Sequence, residues 1–138
     1  MGLDMFLYGV EYLSKYAKDK NGNKIRNKTK IIKTEEIYWR KANQIHGWFV
    51  ENCQFGEDNC KPYEISHEQL EALKRLCERV LKNKDEAEFL LPTQAGFFFG
   101  ETDYNEYYFE DLKYTIKELN RLLNSNYQYD WYEYCSSW

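Results

Sequence analysis

His46 is the side chain from which chemistry in this sequence would most naturally start, because imidazole titrates near neutrality and only His67 accompanies it. A general acid or base also needs an orienting partner. Asp103 and Glu101 are the candidates, so the pair to expect in an enzyme is His46 with Asp103. His46 falls near the middle of an apolar helical face, flanked by Trp39, Asn43 and Val50. A histidine in such a place more often serves as a hydrogen-bonded core residue than as a catalyst.

The thiols and acids offer less. Cys53, Cys60, Cys77 and Cys135 contain no C-x-x-C and read as reduced thiols of a cytoplasmic chain. Cys60 is a nucleophile only if its pKa is depressed. His46, Cys53, Cys60 and His67 recur every seven residues and are all competent zinc ligands. Structural zinc sites take their ligands in close pairs from tight turns, which this spacing does not supply, so no metal site is expected. Glu101, Asp103, Glu106, Glu110 and Asp111 lack the central glycine and spacing of a calcium loop. No cofactor is implied.

The aromatic block favours binding over catalysis. Trp39, Phe97, Phe98, Tyr104 and Tyr107 offer flat faces that can stack on a ring, while Arg40, Asn43 and Thr93 can hydrogen-bond its edge or a phosphate. Gly96 and Gly100 bracket the three phenylalanines and permit close backbone approach or positive φ, useful for a pocket wall and a plain turn alike. These residues, with His46, predict a pocket between the first helix and the 93–108 segment. The competing reading makes the rings a core for a small protein short of aliphatics, and it is at least as strong for Phe97 and Phe99.

Several elements must position these groups. Residues 3–13 are short and aromatic and predict a strand, and Asn21-Gly22 predicts a hairpin turn with 24–32 returning. Glu35 to about Cys53 has helical period, with Tyr38, Ala42, Ile45, Phe49 and Cys53 on one face and Arg40, Gln44 and Glu51 opposite. Residues 54–65 read as a loop. Ser66 with Gln69 forms a capping box for a second helix, whose buried stripe is Leu70, Leu73, Cys77, Val80 and Leu81. The last helix runs from about Asn105 to Leu123. Tyr127, Tyr129 and Trp131 at period two predict a strand that pairs with the hairpin. The fold class is therefore α+β: a small antiparallel sheet, made of the N-terminal hairpin and the C-terminal strand, with about three helices packed on it.

The bulk numbers bound the rest. The 138 residues fit a single domain, 1–138, and the net charge of -4 argues against general nucleic-acid binding. Charge is uneven: Lys15 to Lys33 holds eight basic residues against Asp19 alone, and Glu101 to Asp111 holds five acids and no base. No apolar run, leader or lipidation motif points to a membrane, so the chain reads as cytoplasmic.

"MGLDMFLY", "YWRKANQIHGWFVEN", "LLPTQAGFFFGETDYNEYYFEDLKYT" and a final "SSW" together resemble a family of small uncharacterised proteins carried by phages and prophages of many bacteria. The family pattern points to Tyr38, Trp39, Arg40, Lys41, Asn43, His46, Trp48 and Phe49. In the second block it points to Leu91, Pro92 and Thr93, then to Gly96 through Gly100, and then to Tyr104, Tyr107 and Asp111. This chain departs from the pattern at Cys53 and His67. No Gly-rich loop with Lys and Ser or Thr is present, so kinase-like phosphate binding is not expected. The resemblance implies a phage accessory protein in the host cytoplasm, with counter-defence as its setting.

Three functions follow as expectations. The first is a non-enzymatic protein that sequesters a nucleotide-type host signal or masks a host defence protein. The second is a small hydrolase acting on a nucleotide or phosphodiester through His46. The third is an acidic nucleic-acid mimic that inhibits a host protein. Self-association is left open.

Overall fold

Period-two burial builds the sheet. In the first strand Met5 and Leu7 are buried while Asp4, Phe6 and Tyr8 are half-buried, as alternation across a pleat requires. The computed structural model describes residues 2–12, 20–23 and 31–138. The sheet comprises β1 (Asp4–Tyr12), β2 (Ile31–Arg40), β3 (Tyr63–Ile65) and β4 (Trp131–Ser137) in the order β2-β1-β4-β3, with every pairing antiparallel. The helices are α1 (Asn43–Cys53), α2 (His67–Lys82), the single turn α3 (Ala87–Leu90) and α4 (Glu106–Leu123).

The fold is α+β, as composition and pattern lead one to expect. Met5, Leu7, Ile37, Trp39, Tyr132 and Tyr134 point from one face of the sheet into a single core that they share with α1, α2 and α4. Ser66 caps α2 through the predicted box: its Oγ accepts the Gln69 N–H at 3.1 Å, and its own N–H donates to Gln69 Oε1 at 2.8 Å. Asn105 caps α4 by accepting from the N–H groups of Tyr107 and Tyr108.

Three local expectations are corrected. Residues 35–40 belong to β2, and the helix begins only at Asn43. Ile37 and Trp39 are buried while Glu36, Tyr38 and Arg40 face away from the core, so the stretch follows a period of two rather than 3.6. Lys41, at φ 56°, turns the chain between strand and helix. Tyr63–Ile65, expected as loop, pairs with β4 as a fourth strand. The last strand starts at Trp131, beyond Tyr127 and Tyr129. Residues 13–19 and 24–30, which carry most of the basic stretch, lie outside the described residues.

Candidate functional site

Helix α1 is buried along most of its length, so its buried polar side chains, Asn43, Gln44 and His46, have to find partners inside the protein. Those partners organise the site. Asn43 Nδ2 donates to the carbonyls of Phe99 and Glu101, both at 2.9 Å, and its Oδ1 accepts the Gln94 N–H at 2.9 Å. One amide thereby holds both ends of the 94–101 loop. Gln44 Nε2 donates to the Tyr108 carbonyl and to Asp111 Oδ2, both at 3.2 Å, tying α1 to α4. Gln44 is buried, although the helical phasing places it opposite the apolar face.

The loop explains the junction of phenylalanines and acids. Leu3, ahead of β1, donates its N–H to the Phe98 carbonyl, and its own carbonyl accepts the Lys41 N–H, so the triplet is anchored to the sheet. Phe99 turns inward; a Cβ on Gly96 would stand 2.6 Å from its ring, so only glycine fits there. Gly100 takes φ 86° and sends the chain back past Lys41. Phe97 is 93% exposed.

Between the Arg40–Lys41 turn, the 100–105 stretch and the start of α4 lies a cleft of about 460 Å³. Four predicted residues line it: Arg40, Asn43, Thr93 and Tyr107. Lys41, Gln44, Tyr108 and the carboxylates Glu101, Asp103 and Asp111 are also among its lining residues. Arg40 Nη1 is paired with Asp4 at 2.7 Å, whereas the Lys41 ammonium has no partner among the described residues. Tyr107 is 68% exposed and presents a free ring. Burial pushes the Asp111 carboxyl up to about 6, against the opposing hydrogen bond from Gln44. The cleft therefore joins a cation unpaired among the described residues, a stacking face and a desolvated carboxylate.

The other predicted site residues lie elsewhere. Trp39 is 2% exposed and donates from Nε1 to Thr115 Oγ1 at 2.9 Å, so it belongs to the core. The Tyr104 hydroxyl accepts the Thr93 N–H at 3.1 Å, and Thr93 Oγ1 donates to the Thr102 carbonyl at 2.9 Å. Both side chains brace the loop. Phe97 and Phe98 pack edge to face on each other and do not line the cleft.

His46 is 1% exposed and engaged at both nitrogens. Nδ1 lies 2.6 Å from the Tyr134 hydroxyl and Nε2 lies 2.9 Å from Asp58 Oδ1. A carboxylate only accepts, so the proton sits on Nε2 and Tyr134 donates to Nδ1. Asp58 Oδ1 also accepts from Trp138 Nε1 at 3.0 Å. The pairing with Asp103 is corrected: Asp58 orients His46, and Asp103 lines the cleft instead. Burial lowers the His46 pKa, with Asp58 opposing, so the ring is neutral near pH 7. A separate pocket of about 230 Å³ reaches His46 and Asp58.

Burial holds the Cys53 and Cys77 thiols up at about 12, so neither is a thiolate at neutral pH. Among the described residues, no group of three or more His, Cys, Asp or Glu side chains is arranged to hold a metal ion. None of the helices of the described residues is long and apolar enough to cross a membrane. Lys41 and Asp111 both stand in the motifs of the phage-family resemblance, whereas Gln44 carried no signal beyond its helical phase. No protein-family model, curated protein or solved structure matches the chain.

Proposed function

We propose that this protein binds a small, ring-bearing anion of the nucleotide type in the cleft between the Arg40–Lys41 turn and α4, and holds it without turning it over. The observation that carries this reading is the Lys41 side chain, unpaired among the described residues, lining the same cleft as the exposed Tyr107 ring and the Asp111 carboxylate. An anionic group meets Lys41, a planar ring lies on Tyr107, and polar ring atoms meet Gln44 and Asp111. The volume of about 460 Å³ falls in the ordinary range for small-molecule sites. Holding a ligand needs affinity alone, and both ring nitrogens of His46 are already engaged, by Tyr134 and Asp58. The resemblance to phage and prophage proteins supplies a setting in which such a trap removes a host signal nucleotide.

Equilibrium dialysis against a panel of nucleotides tests this, followed by denaturation and chromatography of the released ligand. The account expects saturable binding, intact ligand, and a loss of about 10-fold in affinity in Lys41→Ala. Absence of binding across the panel, or binding indifferent to Lys41, overturns it.

A second reading is a hydrolase in which Asp111, not His46, moves the proton. What favours it is the Asp111 carboxyl at about 6, poised for acid–base work in the same cleft. The same experiment separates the two, because an enzyme releases products.

A further inference from the structure

Asp111 is expensive to leave as it stands. It is half-buried, its Oδ2 accepts only a 3.2 Å bond from the neutral Gln44 amide, and no cation pairs with it among the described residues. Desolvated carboxylates are ordinarily paired or fully hydrogen-bonded. Arg40 is committed to Asp4, and Lys41 stands beside Gly100. Asp111 Oδ1 is not among the buried atoms that lack a partner, so it is open to the cleft, where N–H donors of a ligand can reach it.

The chemistry of the group narrows what those donors are. A carboxylate accepts through two oxygens, spaced to receive two parallel N–H bonds. A guanine ring presents two such donors side by side, the ring N1–H and the exocyclic amino group. Adenine and cytosine place their amino donor beside an acceptor nitrogen, whose lone pair a carboxylate repels. Uracil offers one N–H between two carbonyls. Asp111 also lies four residues after Tyr107 on α4, so the two side chains are neighbours one helical turn apart. A ring stacked on Tyr107 thus has its edge within reach of Asp111.

We infer that Asp111 accepts the paired N–H donors of a guanine-type ring, which makes the cleft selective for guanine nucleotides. Gln44, by donating to Oδ2, acts as a positioning residue that fixes the carboxylate's orientation. The inference rests on the nucleotide-binding reading of the cleft.

Calorimetric titration with GMP, IMP, AMP and UMP tests it in the wild-type protein and in Asp111→Asn. The substitution keeps an acceptor for Gln44, and a melting temperature at pH 7 no lower than that of the wild type shows that the fold is retained. IMP lacks only the exocyclic amino group, so GMP is expected to bind it out by about 10-fold, and AMP and UMP by about 10- to 100-fold. Asp111→Asn is expected to bring GMP and IMP within about threefold of each other, since the amide cannot accept both bonds. AMP and GMP binding equally to the wild-type protein overturns the assignment of the ring and leaves nucleotide binding standing. A GMP preference that survives Asp111→Asn overturns the role of Asp111. Failure of all four nucleotides to bind overturns the cleft reading and this inference together.

Discussion

His46 has a proton donor on one nitrogen and a proton acceptor on the other, which makes it a structural joint between α1, β4 and the Asp58 loop. His46→Phe strands the Tyr134 hydroxyl in the core and is expected to cost about 2–4 kcal/mol in chemical denaturation, with ligand affinity at the cleft unchanged. Its pH dependence follows from the lowered pKa. Stability from the neutral ring is present above the unfolded pKa of about 6.5 and is lost as pH falls through the lower folded value. Asp111 behaves in the opposite sense. Its folded pKa of about 6 lies above the ordinary aspartate value of 3.8, so its contribution is present below 3.8 and lost as pH rises through 6. Asp111→Asn should therefore stabilise the unliganded protein by about 1–2 kcal/mol at pH 7, after allowance for its partial exposure, and by almost nothing at pH 4. Denaturation of both forms at the two pH values measures the difference. Sequence patterning put His46 on an apolar face and favoured a core role, which its burial matches. It could not name Asp58, because the loop that carries the carboxylate has no periodic signal to place it.

At the scale of elements, Asn43 is the joint on which the cleft wall depends. Its three hydrogen bonds span the 94–101 loop, so Asn43→Ala leaves two carbonyls and one N–H without their partner. The expected result is a loss of about 2–3 kcal/mol, faster hydrogen exchange at the Gln94 amide, and weakened ligand binding through a displaced wall. Gly100→Ala tests the same loop through its backbone, since φ 86° is strained for any side chain, and about 1–2 kcal/mol is expected. The capped helices were readable because capping boxes and apolar stripes are local signals: Ser66 with Gln69 and the Leu70, Leu73, Cys77 and Val80 stripe stand as anticipated. The 35–53 stretch misled because a strand with inward Ile37 and Trp39 runs into a helix with inward Ile45 and Phe49, and the joined apolar positions imitate one helical face. β3 has only three residues, and its strand character comes from pairing with β4, a tertiary fact without local signature.

In the molecule as a whole, the sheet presents one face to three long helices, and the polar residues of the most buried of them radiate to every neighbouring part. Asn43 holds the phenylalanine loop, Gln44 holds α4, and His46 holds β4. That arrangement leaves Lys41, Tyr107 and Asp111 facing one cleft with their binding groups available. Four of the nine residues singled out for ligand binding line it, because sequence located the two segments that meet there but not which side of each segment faces the gap. The central claim is that this cleft takes a nucleotide. The most direct test is an amide chemical-shift titration of the labelled protein with GMP. The account predicts saturable shifts concentrated in residues 41–44 and 100–111. Unshifted spectra at millimolar nucleotide, or shifts centred on the His46–Asp58 pocket, contradict it.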